Sequence, residues 1–145
     1  MTFVDTNVLI YASNRSSPRH PASLRYIEEL RRGRSPWFLS WPVVFEYLRV
    51  VTHAAVFDTP LSQAEGLAFI DACTSASSCF LLVASDRHRA VLDTVVEQDG
   101  PVAGNLWHDA HSVTLMREHG VVEIATYDRD FCRFDGIRVV EPSPL

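Results

Sequence analysis

Residues 2–12 have the sequence TFVDTNVLIYA. The run Thr2–Val4 is apolar and β-branched, which predicts a short strand. Thr6 can cap a following helix, because a threonine side-chain oxygen accepts a hydrogen bond from a free N–H group of the first helical turn. The apolar residues 8–11 continue that helix. The sequence therefore predicts a strand, a turn and a helix, with Asp5 at the carboxyl end of the strand.

Strands and helices alternate along the rest of the chain. Polar loops with glycine or proline separate segments whose apolar residues have strand or helical spacing. These segments predict strands at residues 37–41, 79–83, 121–126 and 137–140, helices at residues 22–32, 42–51, 61–74, 87–97 and 105–119, and a short helical turn at residues 130–134. Such alternation is typical of a parallel sheet covered on both faces and joined by right-handed crossovers. We therefore predict an α/β fold in which residues 1–145 form one three-layer domain, with a central parallel sheet flanked by helices.

Length and composition limit the possible classes of protein. A chain of 145 residues can bury roughly two-thirds of its unfolded surface in one domain. No apolar run approaches the roughly 20 residues that span a bilayer, which predicts no membrane partner. Residues 1–5 lack the basic and apolar regions of a signal peptide, so we expect a cytoplasmic protein with reduced thiols.

Three groups of residues are expected in the core. The three cysteines are odd in number and lack the CxxC spacing of zinc sites, so they are interpreted as small core residues. Tryptophans are more often core residues than binding residues. One stripe of the helix at residues 61–74 has the spacing of a buried face. The residues concerned are Cys73, Cys79, Cys132, Trp37, Trp41, Trp107, Ala64, Leu67, Ala68 and Ile70.

The net charge of −5 argues at first against a nucleic-acid partner, because phosphate binding usually needs a basic surface. All 13 basic residues are arginine, however, and guanidinium groups are suited to bidentate phosphate contacts. Divalent cations held by carboxylates would also make the surface less negative.

Acidic residues follow two of the predicted strands. In open parallel sheets, ligands bind beyond the carboxyl ends of the strands. Asp5 ends the first strand and Asp128 follows the fourth, so both are expected on that edge. Singly, these acids have simpler interpretations, since Asp5 could cap a helix and Asp128 could start a turn. Glu46 could likewise be a solvated residue, and Asp109 could interact with a helix dipole.

Asp5 and Glu46, however, lie inside apolar stretches, where an acid usually has a partner. The chain contains no lysine, and a divalent cation is the simplest partner for such acids. Oxygen ligands alone favour Mg²⁺ or Mn²⁺.

Several motifs together resemble those of the PIN-domain nucleases, and within them the VapC-type ribonuclease toxins of type II toxin–antitoxin systems. The resemblance covers nearly the whole chain. It consists of VDTNVLIYA at residues 4–12, Glu46 on the helix after the second strand, WHDAH at residues 107–111, EHGV at residues 118–121 and TYDRDFCRF at residues 126–134.

The resemblance implies an endoribonuclease whose active site consists of Asp5, Glu46, Asp109 and Asp128. Metal-activated water would hydrolyse an RNA phosphodiester bond and leave a 5′-phosphate and a 3′-hydroxyl. The three aspartates would bind Mg²⁺ or Mn²⁺, Glu46 would bind metal or orient the water, and Asp130 would be an outer ligand. The sequence leaves open both roles of Glu46 and the choice between one and two metals.

Supporting roles are implied for a few further residues. Thr6 and Thr126 resemble hydroxyl residues that orient the acids, and Asn105 lies one helical turn before Asp109. Contacts to RNA are expected first from three residues in the loop after the first helix and from two arginines beside the last acid, although a solvated surface is the simpler interpretation of all five. They are Arg15, Arg19, His20, Arg129 and Arg133.

The resemblance also implies partners. A VapB-type antitoxin would neutralise the protein by placing its C-terminal segment in the acidic cleft. The substrate would be a transfer RNA or a ribosomal RNA, and the protein would form a homodimer.

Other enzyme classes fit the sequence less well. A haloacid dehalogenase phosphatase needs a second aspartate two residues after the first, where this chain has Asn7, and a receiver domain needs a lysine. HD-type phosphohydrolases are all-helical. Two alternatives share the fold: a structure-specific DNA nuclease, which is usually longer, and an inactive PIN domain that serves as a binding module, which usually lacks some of the acids.

Overall fold

Five short parallel strands form the centre of the molecule. The computed structural model describes residues 1–143. The strands are β1 (Thr2–Val4), β2 (Trp37–Ser40), β3 (Cys79–Leu82), β4 (Glu123–Ala125) and β5 (Arg138–Val140). Their order in the sheet is β3-β2-β1-β4-β5, and Phe3 of β1 pairs with Phe38 on one side and Ile124 on the other. The predicted parallel sheet is confirmed.

Helices connect the strands and cover the sheet. They are α1 (Thr6–Ser13), α2 (His20–Arg32), α3 (Trp41–Val51), α4 (Gln63–Thr74), α5 (His88–Asp99) and α6 (Leu106–Glu118), followed by a 3₁₀ helix at Arg129–Arg133. The helices form two groups. In one group α1 contacts α2 and α3, and α3 contacts α4, while in the other α5 contacts α6. Because β1 to β3 progress in one direction and the chain then returns to β4, right-handed crossovers place these two groups on opposite faces. The three-layer α/β architecture is therefore confirmed.

Two predicted element boundaries differ from the structure because of helix caps. Asp5, not Thr6, caps α1, since its carboxylate accepts a hydrogen bond from the Thr6 N–H group. Ser40 caps α3 through its side chain, so β2 ends at Ser40 and Trp41 starts the helix. In both places a short acceptor side chain at the end of the strand caps the helix that follows.

Several expected core residues lie at the surface. Trp37 is fully buried, whereas Trp41 and Trp107 are 50% and 46% exposed. Cys73 is buried, but Cys79 is only partly buried and Cys132 is exposed. These corrections share a cause, because residue type alone does not specify which side of an element faces the sheet.

Helix α4 buries Ile70, as its sequence pattern predicts, but not the other three residues expected on that face. Gly66, Ile70 and Cys73 are its buried residues, while Leu67 is 42% exposed and Ala64 and Ala68 also lie outside. A Cβ atom on Gly66 would lie 3.1 Å from the Leu48 side chain of α3. The glycine thus permits a close approach of α4 to α3, and this packing sets the orientation of α4.

The crevice at the carboxyl ends of β1 and β4 is the place where strand order reverses. The chain moves from β1 outward through β2 to β3, and then returns to the other side of β1. This switch point is where open α/β sheets bind ligands. Among the described residues, no helix combines the length and the apolar character needed to cross a membrane.

Candidate active site

Asp5 lies at the switch point and is held by hydrogen bonds from three sides. Its Oδ1 accepts from the Thr6 N–H group at 2.7 Å, and its Oδ2 accepts from Asn7 Nδ2 and from Thr126 Oγ1, both at 2.7 Å. The Asp5 N–H group donates to Ala125 at the end of β4 at 3.0 Å. Helix capping, the simpler interpretation of Asp5, is therefore correct, and it fixes the carboxylate at the edge of the sheet.

Asn7 connects the two strand ends, a role that the sequence interpretation did not give it. Its Nδ2 donates to Thr126 Oγ1 at 2.9 Å as well as to Asp5, and its Oδ1 accepts from the Tyr127 N–H group at 3.2 Å. The signal in the sequence was an amide two residues after a strand-ending aspartate. The hydroxyl of the buried Thr126 also accepts from the Asp128 N–H group at 2.9 Å, which supports the orienting role expected for this residue.

Three carboxylates form the tightest group of the site. Asp109, Asp128 and Asp130 each place an oxygen within 4.8 Å of the other two. The Asp130 N–H group donates to Asp128 Oδ1 at 2.8 Å, so the 3₁₀ helix begins with both acids directed to one point. Asp130, expected only as an outer member, is thus part of this central group.

The electrostatics of the group are unfavourable without a cation. Burial, followed by the charges of Asp128, Asp5 and Asp130, raises the pKa of Asp109 to about 7. Burial also raises the pKa of Asp5, although hydrogen bonds from Thr126 and Thr6 oppose the change. Within residues 1–143, no side chain or backbone group donates a hydrogen bond to the carboxylate of Asp109 or Asp130. Asp128 has a donor in the Asp130 N–H group, and Asp130 is exposed. Asp109, in contrast, is partly buried among like charges and has no donor in the described chain, so a divalent cation would supply its missing partner.

Glu46 lies on α3 in the same cleft but has a different partner. Arg49 donates to both of its carboxylate oxygens, at 2.9 Å from Nε and 2.6 Å from Nη2. These bonds from Arg49 lower the pKa of Glu46 despite some burial. Glu46 is therefore an ionised carboxylate that already has a counter-ion, unlike Asp109.

The cleft has a volume of about 560 Å³. Asp5, Glu46 and Asp109 line it, whereas Asp128 and Asp130 are not among its lining residues and are connected to it through their closeness to Asp109. Thr6 and Asn105 line it as well, in agreement with their expected positions. Lining residues that the sequence interpretation did not single out for this cleft are Asn7, Ile10, Pro42, Val43, Arg49, His108, His111 and Ser112.

The residues expected to contact RNA are dispersed. Arg19 lies over the ring of Tyr127, the residue before Asp128, at 4.4 Å from the ring centroid. His20 contacts the Tyr11 carbonyl group. Arg133 donates to the Asp99 and Pro101 carbonyl groups, which gives it a structural role. The other two, Arg15 and Arg129, are exposed.

Comparison with known proteins identifies the family of the chain. A family model described as PIN domain matches residues 2–137. The chain belongs to the PIN-domain family. This PIN domain is 37% identical to Ribonuclease VapC48 of Mycobacterium tuberculosis over 138 residues. The aligned segment covers 95% of this chain and 94% of that protein. It is 33% identical over 145 residues to Ribonuclease VapC37 of the same organism, and this alignment covers 100% of this chain and 99% of that protein.

Solved structures support the same fold. The PIN domain superposes on Mycobacterium tuberculosis VapC20, described as a sarcin-ricin loop cleaving toxin, with a TM-score of 0.64 at 20% identity over 95% of this chain and 99% of that one. It superposes on VapBC2 of Rickettsia felis, bound to a DNA fragment from its promoter, with a TM-score of 0.66 at 16% identity over 97% of both chains. The resemblance to VapC-type PIN domains expected from the sequence is confirmed.

Proposed function

We propose that this PIN domain is a divalent-metal-dependent endoribonuclease and the toxin of a toxin–antitoxin pair. The observation that carries the proposal is the group of three carboxylates at the switch point, within 4.8 Å of one another, in a chain 37% identical to a named ribonuclease. Divalent-metal use is general in the family. Mg²⁺ is the proposed physiological ion, and Mn²⁺ is expected to replace it, because both prefer oxygen ligands.

The site residues have separate tasks in this proposal. Asp109, Asp128 and Asp130 hold the cation, and Asp5 completes its surroundings from the end of β1. A bound divalent ion lowers the pKa of a water molecule and offsets charge on the phosphate oxygens of a phosphodiester. Thr126 and Asn7 keep the Asp5 carboxylate in place through the hydrogen bonds described above. Glu46, across the cleft, binds metal or orients the attacking water.

Asp109 makes the protonation state of the site important. With a pKa of about 7, this carboxyl group carries a proton in a large part of the metal-free molecules at neutral pH. It must release that proton to bind a cation. Metal loading is therefore expected to increase as the pH rises through about 7.

The proposed partners are an RNA substrate, an antitoxin and a second copy of the chain. Related folds have been solved as complexes named VapBC2 and FitAB, which favours a VapB-type antitoxin. Transfer RNA and ribosomal RNA are both proposed as substrate classes. A homodimer of single PIN domains, residues 1–145, is favoured by large apolar side chains that lie at the surface near the start of α3 and the end of β3, namely Trp41, Phe45, Phe80 and Val83.

Cleavage of total cellular RNA by the purified chain tests the proposed activity. Mg²⁺ or Mn²⁺ should produce discrete fragments, EDTA should prevent them, and Asp5→Asn or Asp109→Asn should slow cleavage on the order of 100-fold or more, because each variant removes an electrostatic contact of the reacting group. Asp71→Asn, an exposed acid on α4, is the matched control and should cleave normally.

Three results would count against the assignment. Cleavage that survives Asp5→Asn would indicate a contaminating nuclease. No cleavage of RNA with either metal would favour an inactive binding module. Cleavage of branched DNA but not of RNA would favour the DNA-nuclease alternative.

A further inference from the structure

Arg49 is a cation inside an acidic cleft. It follows Glu46 by three residues on α3, so both side chains emerge on the same side of the helix. Both line the cleft that also contains Asp5 and Asp109, and Arg49 is the only arginine among the cleft-lining residues of the described chain. An RNA strand that enters the cleft would therefore meet three carboxylates and a single guanidinium group.

The contact between Arg49 and Glu46 is well formed but exposed. Two nitrogens of the guanidinium group reach two carboxylate oxygens, and the Arg49 and Glu46 side chains are 62% and 44% exposed. The pair is bidentate, but both groups are exposed, so water competes for each of them and limits the contribution of the pair to stability. Arg49 could therefore leave Glu46 with little loss of stability if another acceptor entered the cleft. Phosphate is such an acceptor, since the planar guanidinium group binds phosphate oxygens in the same bidentate manner.

We infer that Arg49 binds a phosphate of the RNA substrate by exchanging Glu46 for a phosphodiester oxygen, and that this exchange frees Glu46 to face the metal and its water. The inference rests on the proposed ribonuclease function and deepens it. In the absence of RNA, Arg49 would hold Glu46 away from the cation. In its presence, the same arginine would screen the charge of the strand and leave Glu46 without a counter-ion.

Linkage gives this arrangement a thermodynamic consequence. If RNA draws Arg49 from Glu46, and Glu46 then contributes to metal binding, each ligand increases the affinity for the other by the same factor. The ion pair would thus couple the arrival of substrate to the completion of the metal site. The coupling requires Glu46, which provides a sharp test.

Steady-state cleavage of a short oligoribonucleotide tests the phosphate contact. Arg49→Gln should raise KM by about tenfold, the effect of losing one hydrogen-bonded contact to a charged group, with a smaller effect on kcat. The logarithmic salt dependence of kcat/KM should become less steep by roughly 0.7, as expected for one lost phosphate contact to a single strand. Arg49→Lys should retain the salt dependence but only part of the affinity, because an ammonium group is not bidentate.

The matched control is Arg89→Gln, which removes the exposed pair of Arg89 with Asp93 on α5. This variant should leave KM and the salt dependence unchanged. If the wild-type chain cleaves RNA and Arg49→Gln behaves like Arg89→Gln, the ribonuclease proposal stands and the role of Arg49 is disproved.

Binding of Mn²⁺ without RNA, followed by electron paramagnetic resonance, tests the second half of the inference. Arg49→Gln should bind Mn²⁺ roughly two- to fivefold more tightly, the scale of one exposed ion pair. The gain should disappear in the Glu46→Gln background, since a double-mutant cycle isolates the coupling of the two residues. An equal gain in both backgrounds would show that Arg49 acts only through its general charge. No gain in either would contradict the exchange, whether or not the chain cleaves RNA.

Discussion

At the scale of single residues, Asp109 is the group whose environment departs most from that of an ordinary surface acid. It is half-buried and has no hydrogen-bond donor among residues 1–143. Burial, followed by the charges of three neighbouring carboxylates, raises its pKa to about 7. Such a residue reduces the stability of the metal-free protein, because an unpaired charge is costly away from water. Strongly perturbed carboxylates of this type are characteristic of functional sites.

The raised pKa of Asp109 predicts a pH-dependent stability. The native metal-free protein keeps this proton up to a pH of about 7, whereas the unfolded chain releases it near 3.8. The contribution of the protonated Asp109 carboxyl group to stability is therefore complete below about pH 4 and is lost as the pH rises to about 7. Asp109→Asn should remove this component of the pH dependence and make the metal-free protein more stable at pH 8. Urea unfolding in EDTA at several pH values measures the difference.

Added Mg²⁺ provides the complementary measurement for Asp109. At pH 8 the ion should raise the stability of the wild-type protein, because it binds the folded state only, and should have little effect on Asp109→Asn. Asp71→Asn, at an exposed position on α4, should follow the wild type in both experiments. Identical pH profiles for wild type and Asp109→Asn would show that the carboxyl group is not perturbed.

At the scale of secondary-structure elements, the site depends on how the end of β1 is attached to the end of β4. Backbone pairing joins the two strands as far as Val4 and Ala125. Beyond them, side chains continue the connection through Asn7 on α1 and Thr126 after β4. The loop that carries Asp128 is therefore fixed to the helix that Asp5 caps.

Asn7→Ala tests this connection. The substitution removes three hydrogen bonds and leaves the Tyr127 N–H group without its acceptor, so we expect the free energy of unfolding to fall by about 1–3 kcal/mol. Metal affinity should also fall, because Asp5 loses one of its donors. Urea unfolding and Mn²⁺ binding are the measurements. Gln98→Ala, an exposed amide on α5, is the control, and an Asn7→Ala protein as stable as that control would contradict the structural role.

At the scale of the whole molecule, a largely buried ion pair joins α5, α6 and the segment before β5 in the C-terminal half. Asp99, at the end of α5, has a side chain only 1% exposed, and Arg117 of α6 contacts it at 2.9 Å. Asp99 also accepts from the Asp135 N–H group before β5 at 2.8 Å. Arg117 in turn donates to the Asp135 carbonyl group. Three segments distant in sequence thus meet at one carboxylate.

Asp99→Ala should destabilise the fold by about 1–3 kcal/mol, because it leaves the Asp135 N–H group without its acceptor and Arg117 without its counter-ion. Asp93→Ala removes an exposed pair from the same helix and should cost at most about 1 kcal/mol. Chemical denaturation of both variants gives the comparison. Equal small losses would mean that water reaches Arg117 and replaces the carboxylate.

The sequence by itself determined the alternation of strands and helices, the parallel sheet, and the acids at its carboxyl edge. These follow from local patterns, since apolar spacing identifies the elements and Asp5 and Asp128 directly follow strands in the chain. The family motifs around Asp109 and Asp128 added the expected chemistry. None of these inferences needed a distance between residues remote in sequence.

Only the tertiary structure decided which groups contact one another. It placed Asp130 with Asp109 and Asp128, gave Glu46 a guanidinium partner, and assigned Asn7 to the junction between strands. It also exposed Trp41 and turned Gly66 of α4 toward α3. The physical reason is that these outcomes depend on helix orientation and on distances across the sheet, which are set by packing of the whole chain and are not encoded in the spacing of any one segment.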